Sequence, residues 1–289
     1  MTAVWLNGDL LSPEEARVSA FDAGFQHGVG LFETLAARGD RVVHLLQHLD
    51  RLDGSLKALR LSTRLRSDAL AEAIHRTVKA AGHETSRVRI TITGGDLNLL
   101  QGGGGDHDPT ILVVAQPATA YPDELFEQGV RVVVADARSN PLDPFASHKT
   151  LNYWSRLSEL QAAAGKGASE ALWFQVSNHL AGGCVSNVIL VKDDEFITPI
   201  ARGEEPDGGL PSPVLPGIVR EEVLGWAAGE GRLVRREMLG IQDVLQADEV
   251  LLTNSSWGVL PVVGLEREAI GGGRPGPVAA ALRSWWQAQ

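Results

Sequence analysis

Leu45, Leu49, Leu52, Leu56 and Leu59 follow one another at steps of four and three, so the stretch from His44 to Leu61 carries one apolar helical face. Such a face must be buried against something, and the sequence supplies strands for the purpose. Val88, Ile90 and Ile92 alternate as in a half-buried strand, and Ile111 to Ala115 reads as another. Between the first helix and these strands, Ser67 is placed to cap a second helix bearing Leu70, Ile74 and Val78, which Gly82 ends. Helix and strand within one stretch imply an α/β unit.

The run QPATAYP, Gln116 to Pro122, suits neither a helix nor a central strand, and it reads as a linker between residues 1–118 and 119–289. Beyond it, Val130, Val132 and Val134 alternate, while Tyr153, Leu157, Leu160 and Ala164 share a helical face. Ala171 to Val176 and Val185 to Val191 are strand-like, a short helix follows LPGIVR, Val244 and Leu245 lie in a further segment, and another strand ends in LLTNSS. The glycines Gly102 to Gly105 read as a surface loop, with no helix start behind them to make a phosphate cradle. At 289 residues the chain is long enough for two α/β units, and with 44% hydrophobic and 21% charged residues it has material for both cores.

Charge narrows the partners. A net charge of -10 repels phosphate backbones, and no Lys/Arg run is interleaved with aromatics, so nucleic acid is not expected. Cys184 is the only cysteine, so an internal disulfide is excluded and a reducing compartment fits. MTAVWLNGDL lacks a basic region and a long apolar one, and no segment reaches about 18 uninterrupted apolar residues, so the expectation is a cytoplasmic protein without a membrane span.

The P-loop, HExxH, GxSxG and complete GxGxxG signatures are absent, and His44 and His48, four apart, fit a partly exposed helix face better than a metal site. The informative pieces are FDAGFQHGVGLFET (Phe21 to Thr34), HLDRL (His48 to Leu52) with Ser55, HKTLNY (His148 to Tyr153), CVSNVILV (Cys184 to Val191), ITP (Ile197 to Pro199), LPGIVR (Leu215 to Arg220) and ADEVLLTNSSWGVLPV (Ala247 to Val262). In this order the chain resembles the class IV aminotransferases, which use pyridoxal 5'-phosphate and include branched-chain and D-amino-acid aminotransferases and 4-amino-4-deoxychorismate lyase.

The resemblance implies an α/β (α+β), D-amino-acid aminotransferase-like fold, with a smaller N-terminal α/β domain and a larger, barrel-like mixed domain carrying helices. It assigns Lys149 the aldimine with the cofactor aldehyde, a task for an amine that is neutral part of the time. Arg51 matches the phosphate-binding arginine, the amides of Ile218 and Val219 match the phosphate cup, and Ser255 adds a hydroxyl. Tyr153 is a further cofactor contact. The plainer alternatives are a helix-face salt bridge of Arg51 with Asp50 or Asp53, and an ordinary proline-primed helix start at LPGIVR.

The chain departs from the pattern at Gly182, where the resemblance leads one to expect a glutamate on the cofactor's ring nitrogen. The nearest acids in sequence, Asp193 and Asp194, read as a turn past the strand. His27, Val29 and Trp257 are also unusual, and Trp257 suits either a narrowed active-site mouth or a core. TNSSWGVLPV inclines the reading toward the lyase, which releases pyruvate and 4-aminobenzoate. A D-amino-acid or branched-chain aminotransferase is the alternative, and Gly182 keeps open a homologue that has lost the usual cofactor chemistry. The implied partners are an amino-acid or aminodeoxychorismate substrate and a second copy of the chain in a homodimer.

Overall fold

The structure is a computed structural model and describes residues 1–61, 65–96 and 108–288. The glycines Gly102 to Gly105 lie outside the described residues. The chain forms two compact units, one of Met1–Ala120 with His148–Asn152, the other of Tyr121–Ser147 with Tyr153–Gln289.

The first unit is an antiparallel sheet in the order Asp9–Leu11, Ala3–Leu6, Ile111–Pro117, Thr85–Thr93, Gly30–Arg38, Arg41–Val42. Val88, Ile90 and Ile92 are buried on one face, as their alternation requires, and Arg87, Arg89 and Thr91, which alternate with them, are half-buried. Helices Leu45–Ala58 and Ser67–Ala81 supply the other half of this core: Leu49, Leu52 and Leu56 from one, Leu70, Ile74 and Val78 from the other. Each fully buried leucine is worth roughly 1.5–3 kcal/mol of transfer free energy. Gly82 closes the second helix in the left-handed conformation, as expected. Ser67 is the first helical residue rather than the cap; Arg66 stands at the cap without a side-chain bond, and Asp68 in the first turn complements the helix dipole instead.

The FDAG motif is a knot at the end of this sheet. The buried Asp22 carboxylate accepts the Gly24 amide at 2.7 Å and the hydroxyls of Thr93 at 2.7 Å and Thr110 at 2.6 Å. It thereby caps the short helix Ala23–His27 and ties it to two neighbouring strands.

The second unit holds a mixed sheet in the order Val234–Glu237, Glu195–Pro199, Asn187–Lys192, Glu249–Asn254, Gly258–Leu265, Val130–Ser139, Glu170–Gln175, Leu180–Gly183, with Glu268–Ala269 alongside Gly258–Leu265. Both faces are covered, which is why its strands read as unbroken apolar runs. Val188, Leu190, Val250 and Leu252 point into one core; Ile189, Val191 and Leu251 point into another, under helices Ile218–Gly229 and Pro277–Gln287. The first core also takes up Trp257, so this residue serves packing.

Helix Trp154–Gly165 differs from its expected pattern. Of its residues only Ala163 is buried; Leu157 of the expected face is 43% exposed and Trp154 is 72% exposed. Its apolar stripe is therefore left largely open. No helix among the described residues is long and apolar enough to cross a membrane.

Candidate active site

Lys149 belongs to the first unit through backbone pairing. The Phe32 amide donates to the Lys149 carbonyl at 2.8 Å, the Leu151 amide to the Gly30 carbonyl at 2.9 Å, and Leu31 bridges Thr150. The segment is thus an added rung on strand Gly30–Arg38. Gly30 is needed for the approach, because a Cβ there would lie 2.6 Å from both the Ile92 carbonyl and the Leu151 side chain. The lysine Nζ stands 4.6 Å from the centroid of the Phe32 ring, whose other cation is Arg89 at 4.0 Å. Next to it, His148 Nδ1 meets the Ser55 hydroxyl at 2.8 Å, fixing the segment to helix Leu45–Ala58.

The same helix carries Arg51 and His48 toward Glu33, the acid of LFET. Arg51 donates from Nε at 2.8 Å and from Nη2 at 2.6 Å, and His48 Nδ1 stands 2.8 Å from the same carboxylate. The salt bridge of Arg51 is therefore with Glu33 and not with Asp50 or Asp53, because Asp53 faces Lys57 at the next turn. Burial opposes ionisation of Glu33, but the Arg51 charge and the His48 and Arg51 hydrogen bonds together outweigh it and hold the carboxyl far below the usual range. Burial lowers the His48 pKa, and the nearby charges of Arg51 and Lys149 add to that against the pull of Glu33. His48 is 1% exposed, so the expectation of a partly open helix face fails here, and His44 stands before the helix in a left-handed conformation.

In the second unit the motifs converge on one turn, residues 183–186. The Tyr153 hydroxyl donates to the Cys184 carbonyl at 3.0 Å, and Arg156 Nη1 donates to the Gly183 carbonyl at 2.9 Å and to that of Cys184 at 3.3 Å. Asn254 of the TNSS turn donates to the Val185 carbonyl at 3.2 Å. From beneath, Glu170 accepts the amides of Cys184 and Val185 and the Ser186 hydroxyl. Burial raises the Glu170 pKa, although these donors pull it back. The carbonyls of Gly183, Cys184 and Val185 and the amides of Cys184 and Val185 are thus held by side chains, while the Gly183 amide donates to the Ser186 carbonyl.

Asn187, immediately after this turn, donates to the Leu215 carbonyl at 2.8 Å and so positions the Pro216–Gly217 turn. Gly217 stands at the cap of helix Ile218–Gly229 with no side-chain cap bond, leaving the buried Ile218 and Val219 amides without a helical acceptor. Arg220, 1% exposed, fixes that helix through Thr198, the Pro199 carbonyl and Glu204. Opposite Asn187 in the sheet stands Thr253, whose buried hydroxyl has no hydrogen-bond partner among the described residues. Cross-strand partners share a face, so an orphan hydroxyl and two orphan amides belong to one neighbourhood. Donors of this kind suit an anion with several acceptor oxygens. Ser255 follows in the turn that Asn254 closes by accepting the Ser256 and Trp257 amides.

Position 182 carries no carboxylate, and the backbone of Gly182 explains why. Its φ of 144° is a conformation that L side chains rarely adopt, although a Cβ would meet only the Ser186 carbonyl at 3.0 Å. Asp193 and Asp194 sit in a left-handed turn with Asp194 paired to Arg232, whereas Glu170 on the adjoining strand comes within 2.8 Å of where a Cβ on the neighbouring Gly183 would lie. Sequence reasoning passed over Glu170, Glu33 and Arg156. Glu170 did leave a signal, as an acid heading the apolar run EALWFQV.

The first unit carries Lys149 on its added rung, and the second carries the buried Thr253 hydroxyl and the start of helix Ile218–Gly229. Residues 30–265 match the amino-transferase class IV family, and the chain belongs to it. It is 29% identical, over 97% of its length and 93% of the relative's, to the putative branched-chain-amino-acid aminotransferase of Methanocaldococcus jannaschii. Among solved structures it is similar to the T.th. branched-chain amino acid aminotransferase complexed with N-(5'-phosphopyridoxyl)-L-glutamate, at 26% identity and a TM-score of 0.87, covering 99% of this chain and 92% of that one. It is equally similar in sequence, 26%, to 4-amino-4-deoxychorismate lyase from Pseudomonas aeruginosa, at a TM-score of 0.84 and with 99% and 98% of the two chains covered. With that membership the expected fold and the expected cofactor, pyridoxal 5'-phosphate, both stand.

Proposed function

We propose that this pyridoxal-phosphate enzyme is a 4-amino-4-deoxychorismate lyase, releasing pyruvate and 4-aminobenzoate. The observation that carries the reading is Gly182. Bound pyridoxal phosphate acidifies the carbon that bears the substrate amine, and it stores the resulting charge best when an acid keeps its ring nitrogen protonated. Where position 182 holds no acid, chemistry in which a departing group takes the charge away is favoured over transamination. The near-complete mutual coverage with the Pseudomonas lyase supports the same choice.

In this reading Lys149 holds the cofactor aldehyde and then acts as the base. Its amine would take the proton from the amine-bearing carbon while the bond from the neighbouring ring carbon to the ether oxygen breaks; the C–H electrons form the ring double bond, the oxygen leaves with the three-carbon fragment as an enolate, and a proton returned to that fragment's methylene carbon gives pyruvate. As the resemblance implies, Arg51 of the first unit and the Ile218 and Val219 amides and Ser255 of the second would hold the phosphate and Tyr153 would contact the cofactor ring; the unpartnered Thr253 hydroxyl would add a phosphate donor. Phe145, Trp154, Leu157 and Val176 of the second unit, and Phe21 and Phe25 of the first, are exposed apolar side chains that suit a homodimer. The second reading is a branched-chain or D-amino-acid aminotransferase, and relatives named branched-chain-amino-acid aminotransferase favour its branched-chain form.

Coupled to a chorismate-aminating enzyme, the protein is expected to release pyruvate and 4-aminobenzoate faster than it transaminates D-alanine, L-leucine or L-glutamate. Transamination without lyase product puts the second reading first. Lys149→Ala is expected to abolish the borohydride-trapped cofactor adduct, and an adduct mapping to Lys166 or Lys192 would overturn its role.

A further inference from the structure

Arg156 is a half-buried cation with no carboxylate beside it. Among the described residues it forms no salt bridge, and its Nε and Nη2 have no hydrogen-bond partner. Its position is nonetheless fixed. Nη1 is shared between the Gly183 and Cys184 carbonyls, and the guanidinium carbon lies 5.0 Å from the centroid of the Trp173 ring. Trp173 is the residue directly opposite Gly182 in the ladder between strands Glu170–Gln175 and Leu180–Gly183. The guanidinium thus stands beside the end of strand Leu180–Gly183, where position 182 has no side chain, with two nitrogens uncommitted. Tyr153, one helical turn earlier, reaches the same Cys184 carbonyl and is presented beside it.

A neutral lone-pair acceptor in a flat ring is what such a group suits. We propose that Arg156 donates a hydrogen bond to the ring nitrogen of pyridoxal phosphate, in the place where the resemblance leads one to expect a glutamate. Glu170 cannot take that part, because its two oxygens are engaged by the Ala171, Cys184 and Val185 amides and the Ser186 hydroxyl. The difference between the two partners is chemical. A carboxylate accepts and so draws a proton onto the ring; a guanidinium does not give up its own proton in a protein. The ring nitrogen is then an acceptor and stays unprotonated. The sink for electrons is thereby weakened. This rests on the cofactor and not on the choice of substrate.

The test is nitrogen NMR of holoenzyme reconstituted with cofactor isotopically labelled at the ring nitrogen. The wild type is expected to show the unprotonated-ring resonance throughout the neutral range, and Arg156→Glu to move it to the protonated position. Arg156→Met, which keeps a stem on Trp173 but no donors, is expected to loosen cofactor binding on the order of tenfold, the worth of a charge-assisted hydrogen bond. Melting curves of each variant separate these effects from loss of fold, and if the Glu variant does not fold, the Met variant carries the test. A protonated ring in the wild type overturns the proposal. So does an Arg156→Met enzyme with unchanged resonance and cofactor affinity but a raised KM, the pattern of an arginine that holds a substrate carboxylate instead. None of these readouts depends on which product forms, so a failed lyase assay leaves the proposal standing.

Discussion

Asn187 and Gly217 are fitted so closely that the Asn187 side-chain oxygen occupies the space a Cβ on Gly217 would need. The same asparagine holds the Leu215 carbonyl, so one amide sets the turn that frees the Ile218 and Val219 amides. Gly217→Ala is therefore expected to displace that turn, with a stability loss of about 1–3 kcal/mol from overpacking and a larger relative loss of cofactor affinity. Gly225→Ala in the same helix, where nothing lies within 4 Å of an added Cβ, is the control. It is expected to stabilise by roughly 0.5–1 kcal/mol with unchanged affinity. Equal cofactor dissociation constants for the two variants would show that the turn does not serve the phosphate.

The Glu33–Arg51 pair makes a statement about stability separate from cofactor binding. In cofactor-free protein, Arg51→Ala leaves a buried carboxylate without its cation and is expected to cost about 3–5 kcal/mol. Glu33→Gln in the same background is expected to recover part of that loss, because the stranded charge is gone. Urea unfolding of the two single variants and the double variant measures the coupling. Strict additivity would mean that the pair does not interact as the geometry indicates.

His48 gives the protein a dependence on mild acid. Its imidazole resists protonation in the folded state while the unfolded chain takes up a proton near the ordinary value of 6.5. The stability it contributes is complete above that pH and is lost as the pH falls below it. Glu33 acts in the same direction lower down: its contribution is present above 4.5 and is lost below. His48→Gln keeps a donor for Glu33 without titrating. Its melting temperature is expected to change less than the wild type's between pH 6.5 and 4.5, and parallel curves would remove His48 as the cause.

Cys184 is expected to be inert in the native state. Burial pushes its thiol up to about 12, with the Glu170 charge adding to the effect, and the sulfur is fully enclosed. Thiol reagents at mildly alkaline pH should leave the folded protein unlabelled and react once on unfolding. Rapid labelling without unfolding would show that the Gly183–Ser186 turn opens.

The elements most legible in the sequence were those whose two faces meet different surroundings. Leu49, Leu52 and Leu56 or Val88, Ile90 and Ile92 record burial directly in their spacing. The helix after Tyr153 shows the opposite: periodicity gave its existence but not its exposure, since the spacing of Leu157 and Leu160 is the same whether or not anything covers them. In the site, Lys149 and the Pro216–Gly217 turn were found through motif order. Glu33 lay within a quoted motif, yet its tie to Arg51 crosses 18 positions and leaves no local pattern. Arg156 was silent for a related reason, because its hydrogen-bond partners are backbone carbonyls, which every sequence contains, and Trp173 beside it lies 17 positions away.

The rung formed by His148–Asn152 on strand Gly30–Arg38 makes the two units inseparable as genetic parts. A fragment ending at Ala120 contains the strand but lacks the lysine, and one beginning at Tyr121 contains the lysine but lacks its strand. No single break in the gene yields both halves intact. Recombination that exchanged the first unit for a relative's would bring in a new partner strand for an old lysine segment, so Gly30, Leu31 and Phe32 are bound to be inherited together with Lys149 and Leu151.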